Sequence, residues 1–191
     1  VVNFAHEKGL KLHLDGARIF NAAVAAGVPA EKLVGEADSV TFCLSKGLCA
    51  PVGSVLCGTQ EFIARARRVR KMLGGGMRQA GILAAAGIIA LEKMTTRLGE
   101  DHARAWNLAK GLASIPGICL DHPAPATNMV FFTLAPEIGP GADEIVGRLA
   151  PLGVLVHSAG ARRFRLVPQY WIDDAGVQRA VESFRAVFST L

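Results

Sequence analysis

Long apolar runs are absent from this chain of 191 residues. The longest nearly continuous one, residues 82–91, is too short to span a bilayer, and because it is apolar all round we expect a helix buried on every side. The chain starts Val1-Val2-Asn3 without a methionine, and no signal-peptide pattern follows. We therefore expect a cytoplasmic protein without membrane contact, whose sequence starts inside a longer fold.

Cysteines and aromatic residues are also few. None of the four cysteines (Cys43, Cys49, Cys57 and Cys119) forms a C-x-x-C pair, which favours free, buried thiols over disulfides or a zinc site. The net charge of +5 is concentrated at residues 65–71, but no aromatic side chain for base stacking lies among those arginines. This pattern predicts a solvated helix face rather than a nucleic-acid site.

The residues that are present favour a soluble α/β protein. Apolar residues make up 51% and charged residues 19%, which argues against disorder. Predicted helices cover residues 1–8, 17–26, 61–72, 79–98, a segment ending near 114, 142–150 and 175–188. Predicted strands cover residues 11–15, 39–44, 53–57, 118–120, 129–134, 154–157 and 163–167. The alternation in the first half is typical of a parallel sheet, and we place a domain boundary near residue 98.

Two charged residues follow neighbouring strands of that sheet. Asp15 ends one strand and Lys46 comes directly after the next. Ligands of open parallel sheets bind outside the carboxyl ends of the strands, where a carboxylate and an amine suit pyridoxal 5′-phosphate. The plain alternatives are a helix N-cap for Asp15 and an exposed turn for Lys46. His13 alternates with Asp15 and is expected on the same side, near the cofactor.

Arginines mark two further candidate positions. Arg78 follows a run of three glycines and lies just before a predicted helix. This segment suits the binding of a phosphate, and the alternative is a plain glycine-rich linker. Arg163 and Arg165 share one strand face, and one of them could bind a substrate carboxylate; the alternative is a charged outer face of the sheet.

Several motifs resemble those of the L-threonine aldolase family. They occur in order over most of the chain, whereas residues 118–161 match only in general pattern. The motifs are residues 13–22 (HLDGARIFNA), 43–48 (CLSKGL), 50–54 (APVGS), 71–79 (KMLGGGMRQ), 81–87 (GILAAAG), 100–102 (EDH) and 165–167 (RLV).

The resemblance implies a pyridoxal-phosphate lyase of fold type I that cleaves L-threonine and L-allo-threonine to glycine and acetaldehyde. Residues 1–98 would be the C-terminal portion of the cofactor-binding large domain, and residues 99–191 the small C-terminal α/β domain. Such enzymes are homo-oligomers, dimers or tetramers, that act on small amino acids. The resemblance also implies that the family's N-terminal half is missing here.

The resemblance also implies a role for each matching residue. Lys46 would form the Schiff base, Asp15 would pair with the pyridinium nitrogen, and Arg18 would lie near the ring hydroxyl. Arg78 would reach the phosphate and Arg165 the substrate α-carboxylate. Two other functions stay open: a truncated, non-catalytic remnant and a related β-eliminating lyase.

Overall fold

The computed structural model describes all residues, 1–191. The chain forms two compact units, the first unit Val1–Leu98 and the second unit Gly99–Leu191. The first unit contains α1 (Val2–Glu7), β1 (His13–Asp15), α2 (Ile19–Ala26), α3 (Ala30–Val34), β2 (Ser39–Cys43), β3 (Ser54–Gly58), α4 (Gln60–Met72) and α5 (Gly81–Ile89). The second contains most of α6 (Leu98–Ala113), then β4 (Ile118–Leu120), β5 (Val130–Leu134), α7 (Ala142–Leu149), β6 (Ser158–Gly160), β7 (Arg163–Leu166) and α8 (Asp174–Phe188).

The sheet of the first unit has the order β1-β2-β3 and mixed directions. β1 and β2 are parallel, with His13 opposite Ser39 and Asp15 opposite Thr41. β3 runs antiparallel to β2 because the connection, residues 44–53, is a short loop instead of the crossover that a parallel pair needs. The predicted parallel pairing is therefore present between the two strands that lead to the turn at Gly16 and to the loop of Lys46.

The helix at residues 82–91 is not buried on every side, so that prediction is wrong. Ile82 is 75% exposed, and Ile88 and Ile89 are more than half exposed. Only the small residues Gly87 and Ala90 are buried, because a Cβ on Gly87 would lie 3.1 Å from Leu44 while the isoleucines have no partner surface in the unit. The main buried cluster of the first unit is correspondingly small and contains Leu48, Ala50, Ala90 and Leu98.

The predicted continuous helix over residues 79–98 is also interrupted. After α5 the chain passes through a π-helical turn, Ala90–Met94, and a 3₁₀ turn, Thr95–Arg97. The hydroxyls of Thr95 and Thr96 donate to the carbonyls of Leu91 and Lys93, a competition with the backbone ladder that commonly distorts helices.

The second unit is a layer of helices on an antiparallel sheet of order β4-β5-β7-β6. β5 and β7 alternate buried and less buried residues, as expected of a sheet with one face on a core. That core contains Phe132, Phe164 and Phe184, all fully buried, with the rings of Phe132 and Phe164 stacked at 4.8 Å. α6 and α8 approach closely at Gly111, where a Cβ would lie 2.5 Å from a methyl of Val181.

Two smaller predictions differ from the structure. Residues 154–157 form no strand; the strand lies at Ser158–Gly160, because only this segment pairs with β7. The cysteines form no disulfide, but three of them are only half-buried, and Cys119 is exposed rather than buried. None of the helices combines the length and apolar character that a membrane crossing requires.

Candidate functional site

Asp15 is the last residue of β1, and its carboxylate is exposed. Its Oδ1 accepts a hydrogen bond from the backbone N–H of Ala17 at 3.1 Å, which closes a local turn. The helix itself begins later, at Ile19, with Arg18 in the N-cap position. Asp15 is therefore not the N-cap of α2, and the carboxylate stands at the carboxyl end of a strand.

Lys46 lies in the loop between β2 and β3, residues 44–53. Backbone bonds from Cys49 N–H to the Lys46 carbonyl and from Ala50 N–H to the Leu44 carbonyl wind this loop tightly. Leu48, only 3% exposed, anchors it in the core. The Lys46 side chain is exposed and takes part in no hydrogen bond or ion pair, so the loop presents a free amine on a fixed backbone.

Gly47 explains how the loop can lie so close to the body of the unit. It is buried, and a Cβ there would lie 3.0 Å from the Leu98 side chain and 3.3 Å from Oδ1 of Asn21. Asn21 is only 3% exposed and belongs to α2, the helix that follows Asp15. The turn after Asp15 and the loop of Lys46 are thus packed through one buried asparagine that sequence reasoning did not select.

The parallel pairing of β1 with β2 decides where these groups lie. Asp15 ends β1, and Lys46 follows the end of β2 by three residues, so both stand at the same edge of the sheet. This edge is where open α/β sheets bind ligands. A carboxylate and a primary amine are therefore both available at this edge of the sheet.

His13 shares its sheet face with Asp15, as the alternation predicts. Its Nδ1 lies 2.8 Å from the Ser39 hydroxyl, and its Nε2 lies 3.3 Å from the Thr41 hydroxyl. Neither hydroxyl was selected from the sequence, although the spacing of Ser39 and Thr41, two residues apart on the adjacent strand, places both on one face.

Arg18 and Arg78 occupy the loops of the first unit. Arg18 is half-buried at the start of α2. Arg78 is exposed in the segment between α4 and α5 and makes no hydrogen bond or ion pair. The preceding Gly74 has a φ of +84°, a conformation that favours glycine, so the glycine run serves a turn there.

The three arginines at and just before β7 have different surroundings. Arg162 donates to the carbonyls of Ala135 and Ile138 at 2.6 and 2.9 Å. Arg163 pairs with Asp121 and lies over the Phe131 ring. Arg165 is exposed, and it is the arginine of this group without a hydrogen bond or ion pair.

The sequence of the chain is similar to those of known proteins. A model of the β-eliminating lyase family matches residues 1–135. The low-specificity L-threonine aldolase 1 of Arabidopsis thaliana is 44% identical over 191 residues, covering 100% of this chain and 53% of that protein. The low specificity L-threonine aldolase of Escherichia coli is 51% identical over 134 residues, 70% of this chain and 39% of that protein. The chain thus spans about half the length of the first of these curated relatives.

Solved structures show the same fold. A Listeria monocytogenes protein assigned as an L-allo-threonine aldolase superposes with a TM-score of 0.79 at 22% identity, over 96% of this chain and 54% of that one. The histidinol-phosphate aminotransferase of Clostridium acetobutylicum superposes with a TM-score of 0.72 at 16% identity, over 100% of this chain and 57% of that one. Both likenesses concern the fold alone, that of the fold-type-I enzymes. The chain belongs to the β-eliminating lyase family.

Proposed function

We propose that this chain carries the lysine side of the active site of a pyridoxal-phosphate-dependent aldehyde-lyase. The reaction is the cleavage of L-threonine or L-allo-threonine to glycine and acetaldehyde. The observation that supports it most directly is the placement of Asp15 and the free amine of Lys46 at the same edge of the sheet. The names of the relatives agree with this substrate class.

The residues present fit pyridoxal phosphate. Lys46 offers an unpaired amine on a loop held by Leu48, and Asp15 offers a carboxylate with no ion pair in the chain. When bound, the cofactor supplies an electron-withdrawing ring that stabilises the negative charge left on Cα as the Cα–Cβ bond breaks. We assign Arg18 to the ring hydroxyl, Arg78 to the phosphate and His13 to the surroundings of the ring.

The chain's own residues then have separate tasks. Lys46 would hold the cofactor covalently through its side-chain amine. Asp15 keeps a proton on the ring nitrogen, and such fixed electrostatic support is worth roughly 3–4 kcal/mol where single groups have been removed from other enzymes. Arg165 binds the substrate α-carboxylate, since its guanidinium has no other partner, whereas Arg163 is already paired with Asp121.

Covalent trapping tests the assignment. The chain is incubated with pyridoxal phosphate and reduced with borohydride, and the labelled peptide is mapped by mass spectrometry. We expect the label on Lys46, its loss in Lys46→Ala and its retention in the control Lys32→Ala, an exposed lysine on α3. A label on a different lysine would refute the assignment, and a coupled assay for acetaldehyde with threonine measures the activity.

Two other functions remain as outcomes of these assays. The family description favours a β-eliminating lyase as the second candidate, and ammonia release from tryptophan, tyrosine or cysteine conjugates would identify it. The half-length match to the relatives motivates the third, a non-catalytic remnant. Trapping without any turnover would support that remnant.

We propose that the protein is cytoplasmic and forms a homo-oligomer, a dimer or tetramer. It acts on a small amino acid and binds no nucleic acid. Four unpaired cysteines suit a reducing compartment. The exposed isoleucines of α5 offer an apolar surface for association. Light scattering coupled to size-exclusion chromatography measures the oligomeric state.

A further inference from the structure

The ring of His13 is held by two hydroxyls of the neighbouring strand. The distances are 2.8 Å from Nδ1 to Ser39 and 3.3 Å from Nε2 to Thr41. A neutral imidazole donates from one nitrogen and accepts at the other, and a hydroxyl can do either, so both bonds can form at once. An exposed histidine that would otherwise sample several rotamers is thereby fixed.

This pairing decides which part of the ring a ligand meets. Both nitrogens flank Cε1, so the edge that carries them is turned towards β2. A group bound beside Asp15 therefore meets the ring face or its Cδ2–H edge, and no nitrogen donor is left for it. His13 would then contact the ligand through its ring face or its Cδ2–H edge and would donate no hydrogen bond to it.

The register places the second hydroxyl next to the acid. Thr41 is the direct partner of Asp15 in the parallel pair, and the Gly16 N–H donates to the Thr41 carbonyl at 2.7 Å. We propose that Ser39 and Thr41 are positioning residues of the cofactor site, which hold the His13 ring in one orientation beside Asp15. This inference rests on the proposed function, because it concerns the same site.

Nuclear magnetic resonance of the full chain without cofactor tests the two hydrogen bonds. In isotope-labelled protein, we expect the Hα–Hβ couplings of His13 to show one fixed χ1 rotamer. The signal is assigned through its absence in His13→Gln. The double variant Ser39→Ala/Thr41→Val should shift these couplings towards rotamer averaging, and averaging already in the unmodified chain would overturn the inference.

Cofactor affinity tests the role. We expect the double variant to bind pyridoxal phosphate about tenfold more weakly, the equivalent of about 1.4 kcal/mol. Thr41→Ser, which keeps the hydroxyl, should restore most of the affinity lost in Thr41→Val. The matched control Ser183→Ala/Thr133→Val removes one buried and one half-buried hydroxyl from the second unit and should leave affinity unchanged.

The outcomes separate this inference from the proposed function. If the unmodified chain is trapped at Lys46 but the double variant keeps full affinity, only the positioning role is wrong. If the unmodified chain is not trapped at Lys46, the proposed function fails and the positioning role fails with it. Circular dichroism of each variant establishes that the fold is retained.

Discussion

The two units differ in the size of their buried core and in how many candidate site residues they carry. The second unit buries twenty residues in one continuous cluster, including four phenylalanines. The first unit buries four in its main cluster, leaves large side chains such as Met72, Leu73 and Ile82 more than 70% exposed, and carries most of the candidate site residues. The loop of Lys46 is thus anchored by a few buried residues, whereas the sheet and helices of the second unit share one continuous core.

A core substitution in the second unit should have the largest effect on stability. Phe164→Ala removes a ring that is fully buried between Phe132 and Phe184, at a cost of about 3–5 kcal/mol. Ile88→Ala on α5, where the side chain is 55% exposed, should change stability by less than about 0.5 kcal/mol. Urea unfolding followed by circular dichroism measures both, and equal losses would contradict the contrast between the units.

The second unit should contribute to substrate binding through one arginine only. Arg165→Ala should lower kcat/KM for threonine roughly 30-fold, about 2 kcal/mol, because a charge-assisted contact with the carboxylate is lost. Arg163→Ala should leave kcat/KM nearly unchanged, since that guanidinium is paired with Asp121. Steady-state kinetics decide between them, and the opposite ranking would move the carboxylate site to Arg163.

The exposed face of α5 should control association. Ile82→Ser/Ile89→Ser makes this surface more polar and should reduce concentration-dependent light scattering. Stability should change little, because neither side chain is buried. Unchanged scattering would show that association uses another surface, and Leu155→Ser, at an exposed position of the second unit, is the control.

The smallest predicted effect is the loss of the stability contributed by Asp38 at acid pH. Hydrogen bonds from Lys11, the Leu12 N–H and His6 hold the pKa of its carboxyl well below the usual range. Because the folded-state pKa is lowered, the stabilisation is present above the ordinary value and is lost as the pH falls below about 4. The difference in melting temperature between the wild type and Asp38→Asn should therefore shrink from pH 6 to pH 3. A constant difference would contradict this role.

Local patterns in the sequence predicted most of the elements. The strand ending at Asp15, the helix over residues 61–72 and the last helix all occur within a few residues of the expected bounds. Period-two alternation also placed Arg163 and Arg165 on one face. These predictions succeed because side-chain periodicity and turn residues act within a few positions along the chain.

Predictions that depended on distant partners succeeded less often. The all-round burial of residues 82–91 is wrong, since burial depends on what packs against a helix and not on its own composition. The strand at residues 154–157 is shifted to Ser158–Gly160, because a strand exists only where it finds a pairing partner. The positions of Ser39, Thr41 and Asn21 beside the site likewise depend on neighbours distant in sequence.

The sequence by itself determined which groups are available: an acid after one strand, an amine after the next and arginines with known spacing. Tertiary structure alone decided which of them remain free. Arg163 forms an ion pair with Asp121, while Arg165 has no such partner. Both ring nitrogens of His13 form hydrogen bonds with hydroxyls of β2. The physical reason is that hydrogen bonds and ion pairs form between residues brought together by folding, and their spacing along the chain carries no record of that pairing.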